Sequence, residues 1–285
     1  EGKRVGSAGW WNTIAVSEEI RKEGLVAKNF MGDAFSNEMK KDVIKYIKEE
    51  FGGKIDLLVY SLASAVRTDP NTGEMYRSAL KSTAKEITGP TINLEKETMD
   101  MGTMGIATEE EISSTVKVMG GEDWKLWIEF LDNAGVLTEN FKTVAYSYLG
   151  PKVTYGIYKE GTIGAAKRDL EGTSDYLNDY LKTKYNGEAY VSLSKALMTK
   201  ASAVIPIFPL YATLLYKVMK AKGLHEGTIE QKQRLFKDMM YGGKPELDSN
   251  RRLRPDNWEM REDVQSEVEA IWDTITPENF KEIGD

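Results

Sequence analysis

The chain has 285 residues, 41% hydrophobic and 29% charged, the ordinary balance of a soluble globular protein with room for one large or two modest domains. It contains no cysteine and a single histidine, His225, so disulfides, a thiolate nucleophile and any multi-histidine or cysteine metal site are excluded. A net charge of −7 and a pI near 5.2 argue against general nucleic-acid binding.

Residues 1–12 read as Gly-rich and irregular, with Trp10 and Trp11 as packing residues. A helix around Ser17–Glu23 leads to a short strand, Leu25–Phe30, with Asp33 and Ala34 at its end. Residues 37–51 carry Met39, Val43, Ile44 and Ile47 on one helical face and stop at Gly52-Gly53. The apolar run Ile55–Tyr60 has the character of a parallel strand, ending near Leu62 and Ala63. Strand, helix, strand in this order is the repeat of an α/β fold, a Rossmann-like doubly wound parallel sheet. Residues 65–108 break the pattern. Two turn signals, Asp69-Pro-Asn-Thr-Gly73 and Gly89-Pro90, and alternating polar sequence point to an insertion with a hairpin. Helices resume at Glu109–Val118 and Asp123–Asp132, the second with Trp124, Trp127, Ile128 and Leu131 at core spacing. Thr143–Tyr148 is a buried strand, Thr162–Lys182 a helix, Ala189–Leu193 a strand, and residues 195–200 a loop. A long apolar helix covers Pro209–Lys222, residues 242–257 form a loop, and Asp263–Asp273 is a final amphipathic helix. The expected organisation is one extended domain over 1–285, with the insertion at about 65–108 and a helical and loop region at about 223–275. The apolar stretch Ala203–Tyr216 is too short and interrupted to span a bilayer, and no signal peptide is visible, so the expected location is the cytoplasm, with no membrane partner.

Tyr158 and Lys167 carry the sharpest chemical signal. They lie in Y-K-E-G-T-I-G-A-A-K, just after the strand-like V-A-Y-S-Y and a Gly-Pro break. A phenol near a nucleotide can donate a proton or hydrogen bond to an oxygen that is becoming negative, and a neighbouring ammonium can lower the phenol's pKa and hold a ribose. Nine steps at about 100° each carry a continuous helix to its opposite face. Tyr158 therefore precedes the helix, with Gly161 and Thr162 forming the break and Lys167 about one turn inside. Taken alone, the pair could also be a surface tyrosine and a solvated lysine. His225-Glu226 lacks the second histidine of H-E-x-x-H, so zinc is rejected. Arg251, Arg252 and Arg254 form the densest basic cluster, either a solvated loop or a contact to substrate phosphates.

The strings Ala145-Tyr-Ser-Tyr148-Leu-Gly-Pro151 and Tyr158 through Gly161-Thr-Ile-Gly164 to Lys167 resemble those of the FabV-type enoyl-thioester reductases. So do Gly32-Asp-Ala-Phe-Ser36, Val59-Tyr-Ser-Leu-Ala-Ser64, Arg67-Thr-Asp-Pro70, Val118-Met-Gly-Gly-Glu-Asp-Trp124 and Lys200-Ala-Ser-Ala-Val-Ile-Pro206. Within that family the likeness is strongest to the clostridial and treponemal trans-2-enoyl-CoA reductases, and it runs from about Gly6 to the C-terminus. Trp11 is a departure, since the family usually has tyrosine there.

The resemblance implies NADH as cofactor and reduction of the C2=C3 bond of an enoyl-CoA or enoyl-acyl-carrier-protein thioester in fatty acid metabolism, by a monomer. It makes Tyr158 the proton donor, Lys167 the residue of the nicotinamide ribose and the phenol, and Tyr148 a substrate contact near the thioester carbonyl. It puts Asp33, Ala34, Leu62 and Ala63 on the adenine and ribose side, and Leu197, Met198 and Thr199 against the nicotinamide amide. The residues alone leave Asp33 as an ordinary turn or cap residue, Leu62-Ala63 as a buried strand end and Thr199 as a capping residue. Nothing in the residues implies a flavin. The family also carries a Gly-rich strand–turn–helix for the cofactor pyrophosphate before the point where Glu1 stands, and no such string occurs in residues 1–285. The expectation is therefore a chain truncated at both ends that, alone, binds NADH weakly or not at all and is inactive and aggregation-prone. The alternatives are an enoyl-acyl-carrier-protein reductase or a folded but non-catalytic fragment.

Overall fold

The computed structural model describes residues 7–62, 64–93, 96–199, 202–243, 245 and 247–284, so Ala63 lies outside it. Helix α1 spans Ala8–Lys22, longer than the sequence suggested, because Ser7 caps it by accepting the Trp10 amide at 3.2 Å. Trp10 and Trp11 are not packed; both are exposed on this helix. The Leu25–Phe30 run is not a strand. It finds no ladder partner among the described residues, and without pairing an apolar run has nothing to hold it extended. Ser36 caps α2 (Asn37–Glu50), and Gly52 and Gly53 supply the positive φ (76° and 79°) that lets the chain leave it for β1 (Ile55–Tyr60).

Two hairpins follow. Strands β2 (Val66–Thr68) and β3 (Met75–Arg77) flank a turn in which Asp69 Oδ1 accepts the Asn71 amide at 2.8 Å. Strands β4 (Ile87–Asn93) and β5 (Thr98–Met104) form the second. Gly89-Pro90 lies inside β4 rather than in a turn. A two-stranded ribbon leaves each strand an open side, where proline's missing N–H costs nothing. Gly89 is also needed for packing, since a Cβ there would sit 2.9 Å from the Ile207 side chain. Helix α3 (Glu109–Met119) begins with a reciprocal capping box between Thr108 and Glu111, and α4 is Glu122–Asn133. Next come β6 (Leu137–Ser147), a one-turn helix α5 (Tyr155–Tyr158), α6 (Thr162–Tyr185), β7 (Glu188–Leu193) and α7 (Phe208–Ala221). Helix α8 (Thr228–Arg234) continues into a π-helical stretch, Leu235–Met240. The region expected as a loop at 242–257 contains a two-residue strand, β8 (Arg252–Leu253), too short to leave a periodic signal. Helices α9 (Glu262–Trp272) and α10 (Phe280–Gly284) complete the described chain.

Strands β1, β6, β7 and β8 form one parallel sheet in that spatial order. Alternation along the strands divides the core. Ala145 and Val191 face Trp124, Ile128, Leu170 and Leu177 of α4 and α6, whereas Val144, Tyr190 and Leu253 lie under Leu235 and Met240 of the π-helical stretch. A third cluster joins α7 and α9 to the second hairpin and α5. Among the described residues no helix is long and apolar enough to cross a membrane.

The most demanding contact in the first cluster is ionic. Lys40 on α2 is fully buried, and its Nζ meets Asp123 Oδ1 at 2.8 Å and the Phe35 carbonyl at 2.7 Å. Asp123 Oδ2 accepts from the Tyr60 hydroxyl at 3.2 Å, so the pair ties α2, α4 and β1 together. Burial still pushes the Asp123 carboxyl above its ordinary range, against the pull of Lys40. Lys40→Met should cost about 3–5 kcal/mol in urea denaturation, because it strands a buried carboxyl. The double variant Lys40→Met/Asp123→Leu should recover most of that loss, and a single variant as stable as the parent would show that the pair contributes nothing.

Candidate active site

All four sheet strands run the same way, so their C-terminal ends share one edge, the edge where open parallel sheets place ligands. Leu62 follows β1 there, Tyr148 follows β6, and Leu197–Thr199 follow β7. Tyr148 and Tyr158 meet edge to face, ring centroids 4.7 Å apart at 84°. Phe208, the first residue of α7, contacts both rings at 5.7 and 5.8 Å. Just before it Ile207 takes φ 69° and ψ −41° while the Phe208 amide donates to the Pro206 carbonyl at 2.7 Å. This is a tight γ-turn, rare for a β-branched residue. The second hairpin packs beneath this turn, with Gly89 under Ile207 and Gly102 under Pro206.

Tyr158 ends α5 and Lys167 lies in the second turn of α6. The break between them needs glycine. A Cβ on Gly164 would lie 2.3 Å from the Lys159 carbonyl oxygen, and one on Gly161 would lie 2.4 Å from that of Ile157. The two helices are thus pressed together, which brings a pair nine positions apart to one cavity of about 330 Å³ lined also by Ser147, Tyr148 and Leu193. Lys167 Nζ donates to Ser147 Oγ at 3.0 Å and lies 5.9 Å from the Tyr158 ring centroid. Removal from water pushes its ammonium down to about 8, with Glu171 pulling the other way. The expected lowering of the Tyr158 phenol by Lys167 is not found. Burial, and then the nearby Glu259, raise the phenol, and no hydrogen bond joins it to the ammonium. Tyr158 therefore stays protonated across the physiological range.

Glu259 joins them without any local sequence signal. Its side chain is fully buried; Oε1 accepts from the Tyr148 hydroxyl at 3.0 Å and the Tyr211 hydroxyl at 2.7 Å, and Oε2 from the Ala196 amide at 2.6 Å. Burial pushes this carboxyl up to about 7, against the three hydrogen bonds. Glu259 follows a Pro- and charge-rich stretch with no local pattern. Only its position in space, 111 residues beyond Tyr148, identifies it.

Asp33 is exposed, and its Oδ1 accepts the Phe35 amide at 2.9 Å in a turn leading to α2. The Ala34 carbonyl accepts from Trp127 Nε1 at 3.2 Å. The Met198 amide donates to the Tyr216 hydroxyl at 2.7 Å, which holds the loop after β7. Thr199 exchanges hydrogen bonds with Ser202 in a local turn. The basic cluster is spent locally. Arg252 pairs with Asp248 and Glu171, Arg254 with Asp256 and Asp248, and Arg251 reaches Asp175 at 3.7 Å. His225 packs edge-on against Tyr216. Tyr146 lies under Lys232 Nζ, 3.5 Å from its ring centroid.

A parallel sheet with a buried tyrosine pair and a lysine at its C-terminal edge has the arrangement of a Rossmann-type reductase. Comparison with known proteins narrows this. Residues 4–241 match the family described as the trans-2-enoyl-CoA reductase catalytic region, and residues 247–285 match the enoyl reductase FAD binding domain. A trans-2-enoyl-CoA reductase [NADH] of Clostridium beijerinckii is 54% identical over 99% of this chain and 71% of its own length. An enoyl-[acyl-carrier-protein] reductase [NADH] of Photobacterium profundum is also 54% identical, over 99% of this chain and 71% of its own. The crystal structure of the trans-2-enoyl-CoA reductase of Clostridium acetobutylicum in complex with NADH superimposes with a TM-score of 0.96 at 52% identity, covering 99% of this chain and 71% of that one. The chain belongs to the trans-2-enoyl-CoA reductase family.

The described residues of the segment matched as FAD-binding do not fit a flavin. Its arginines are paired with carboxylates, the first turn of α9 carries Glu262 and Asp263 where a pyrophosphate would need positive charge, and Val264 and Val268 are buried against α7.

The lysine at the cavity can be checked without any ligand. In trace acylation followed by mass spectrometry, the pH–reactivity curve of Lys167 should turn near 8, as should that of Lys232, whose ammonium burial also lowers to about 8. Surface lysines should turn near the ordinary value of about 10.4. A Lys167 curve superimposable on theirs would remove the desolvated ammonium from the site.

Proposed function

We propose that this chain is an NADH-dependent trans-2-enoyl-CoA reductase that saturates the C2=C3 bond of enoyl thioesters such as crotonyl-CoA. The observation that carries this reading is the Tyr148–Tyr158 pair packed 4.7 Å apart beside Lys167 in one cavity at the ligand edge of the sheet. Bound NADH would supply hydride to the β-carbon of the substrate. The chain's own residues meet the negative charge that then develops on the thioester oxygen. Tyr158, kept protonated by burial, is placed to donate to that oxygen, and Tyr148 is its neighbour on the same side.

The residues suit a dinucleotide. Lys167 Nζ has three N–H groups and, among the described residues, one acceptor in Ser147 Oγ, so it keeps donors for ribose hydroxyls. Asp33, Ala34, Leu62 and Ala63 would serve the adenosine side, and Leu197, Met198 and Thr199 the nicotinamide amide through the backbone of their loop. A second reading, reduction of the same bond on an acyl-carrier protein, is favoured by the name of the Photobacterium relative. Rates on crotonyl-CoA and on an enoyl-carrier protein, compared at equal concentration, decide between the two.

Tyr158→Phe should keep the fold and lower kcat by about 10²–10⁴, the usual cost of removing a general acid or oxyanion donor. Near-normal turnover of crotonyl-CoA by the folded variant would show that Tyr158 is not the donor. Lys167→Met should weaken NADH binding in calorimetry and remove from the pH–rate profile the limb that the ammonium creates near 8. If both affinity and profile were unchanged, Lys167 would have no part in the site.

A further inference from the structure

In the structure the Tyr148 hydroxyl donates to Glu259 Oε1 at 3.0 Å. A phenol already donating to a carboxylate cannot donate to a thioester oxygen. Three of the contacts around Glu259 cannot be reversed. The Ala196 amide on Oε2 is always a donor. Gln265 Nε2 is fixed by the Glu259 backbone carbonyl at 2.6 Å, which only accepts, and the same nitrogen donates to the Tyr211 oxygen at 3.1 Å. Tyr211 must therefore send its own hydrogen to Glu259 Oε1 at 2.7 Å. Tyr148 is different. Its hydroxyl donates to Glu259 Oε1 and also lies within hydrogen-bond reach of the Tyr211 hydroxyl, whose oxygen already accepts from Gln265, and its ring lines the cavity with Tyr158 and Lys167. If the carboxyl takes a proton, Tyr148 is the one partner that can switch from donor to acceptor.

We propose that Glu259 is a positioning residue for Tyr148: in its protonated form it donates to the Tyr148 oxygen and releases the phenol's hydrogen into the cavity toward the thioester oxygen. In its ionised form it holds that hydrogen and leaves Tyr158 as the lone donor. This rests on the reductase reading and adds to it a second, switchable oxyanion donor. Among the described residues no cation is in hydrogen-bond contact with the buried carboxyl. The groups facing it are the phenols of Tyr148 and Tyr158, Tyr211 and Tyr216 from α7, the ammonium of Lys195 on the loop after β7, Gln265 from α9, and Asp256, which is held by Arg254. Desolvation outweighs them and places the titration at about 7. All four phenols are raised and stay neutral there. The active form is thus the one present at lower pH, and it is lost as pH rises through the carboxyl's value.

The test is the pH profile of kcat/KM for crotonyl-CoA on the intact enzyme. The parent should step down through about pH 7 to the lower rate that Tyr158 supports alone, with a further limb near 8 from Lys167. In Glu259→Gln the first limb should vanish and the limb near 8 remain. In Tyr211→Phe, which removes one donor to the carboxylate, the first limb should move to higher pH. Either folded variant with that limb in its original place would overturn the role of Glu259 while leaving the reductase reading intact. A parent enzyme with no rate on crotonyl-CoA or an enoyl-carrier protein at any pH would overturn both.

Discussion

The buried carboxyl of Glu259 is the joint on which the site depends. Through two oxygens it fixes the end of β6 at Tyr148, the loop after β7 at Ala196 and the wall of α7 at Tyr211. Gln265 extends the same network to α9. The strands of a parallel sheet end side by side, but nothing in the sheet itself fixes the loops that leave those ends. A single acceptor placed among three donors does so, and the low local dielectric makes each of those bonds stronger than it would be in water. The carboxyl comes from the segment after residue 247, whereas its three partners come from the segment before 241. The two matched regions are therefore one structure at the site.

Much of this fold could be read from periodicity. The apolar run Ile55–Tyr60 is a strand with the expected bounds, and the tryptophans at helical spacing, Trp124 and Trp127, are core. These positions have local causes. Strand pairing has none. Leu25–Phe30 has strand composition but no ladder neighbour among the described residues, while Arg252–Leu253 has no strand pattern yet pairs with β7. Gly89-Pro90 looked like a turn because its fit against Ile207 is a tertiary fact.

The site divided in the same way. Tyr158 and Lys167 were legible because two close-packed glycines force a helix break whose spacing survives in the sequence. Tyr148 entered through the resemblance, and its ring lines the same cavity as Tyr158 and Lys167. Glu259 was not legible, since a glutamate on an irregular stretch looks like any solvated charge until the chain folds around it. The sense of the Lys167 effect was also hidden. A lysine near a tyrosine suggests a depressed phenol, but the ammonium turns to Ser147 and burial governs the phenol instead.

The pairing of β1 has a consequence for how the chain acquires this structure. Within the sheet β1 has β6 as its neighbour, and residues 61–136, holding both hairpins and two helices, lie between them. At roughly 5–20 residues per second, synthesis leaves β1 without that partner for about 4–17 s. The local hairpins and α3 can form within microseconds of emerging, long before the sheet can close. Assembly of the sheet is thus a late, non-local event, of the kind that makes parallel topologies slow to fold. During that interval the apolar face of β1 must be shielded by whatever α2 can offer through Val43, Ile44 and Ile47.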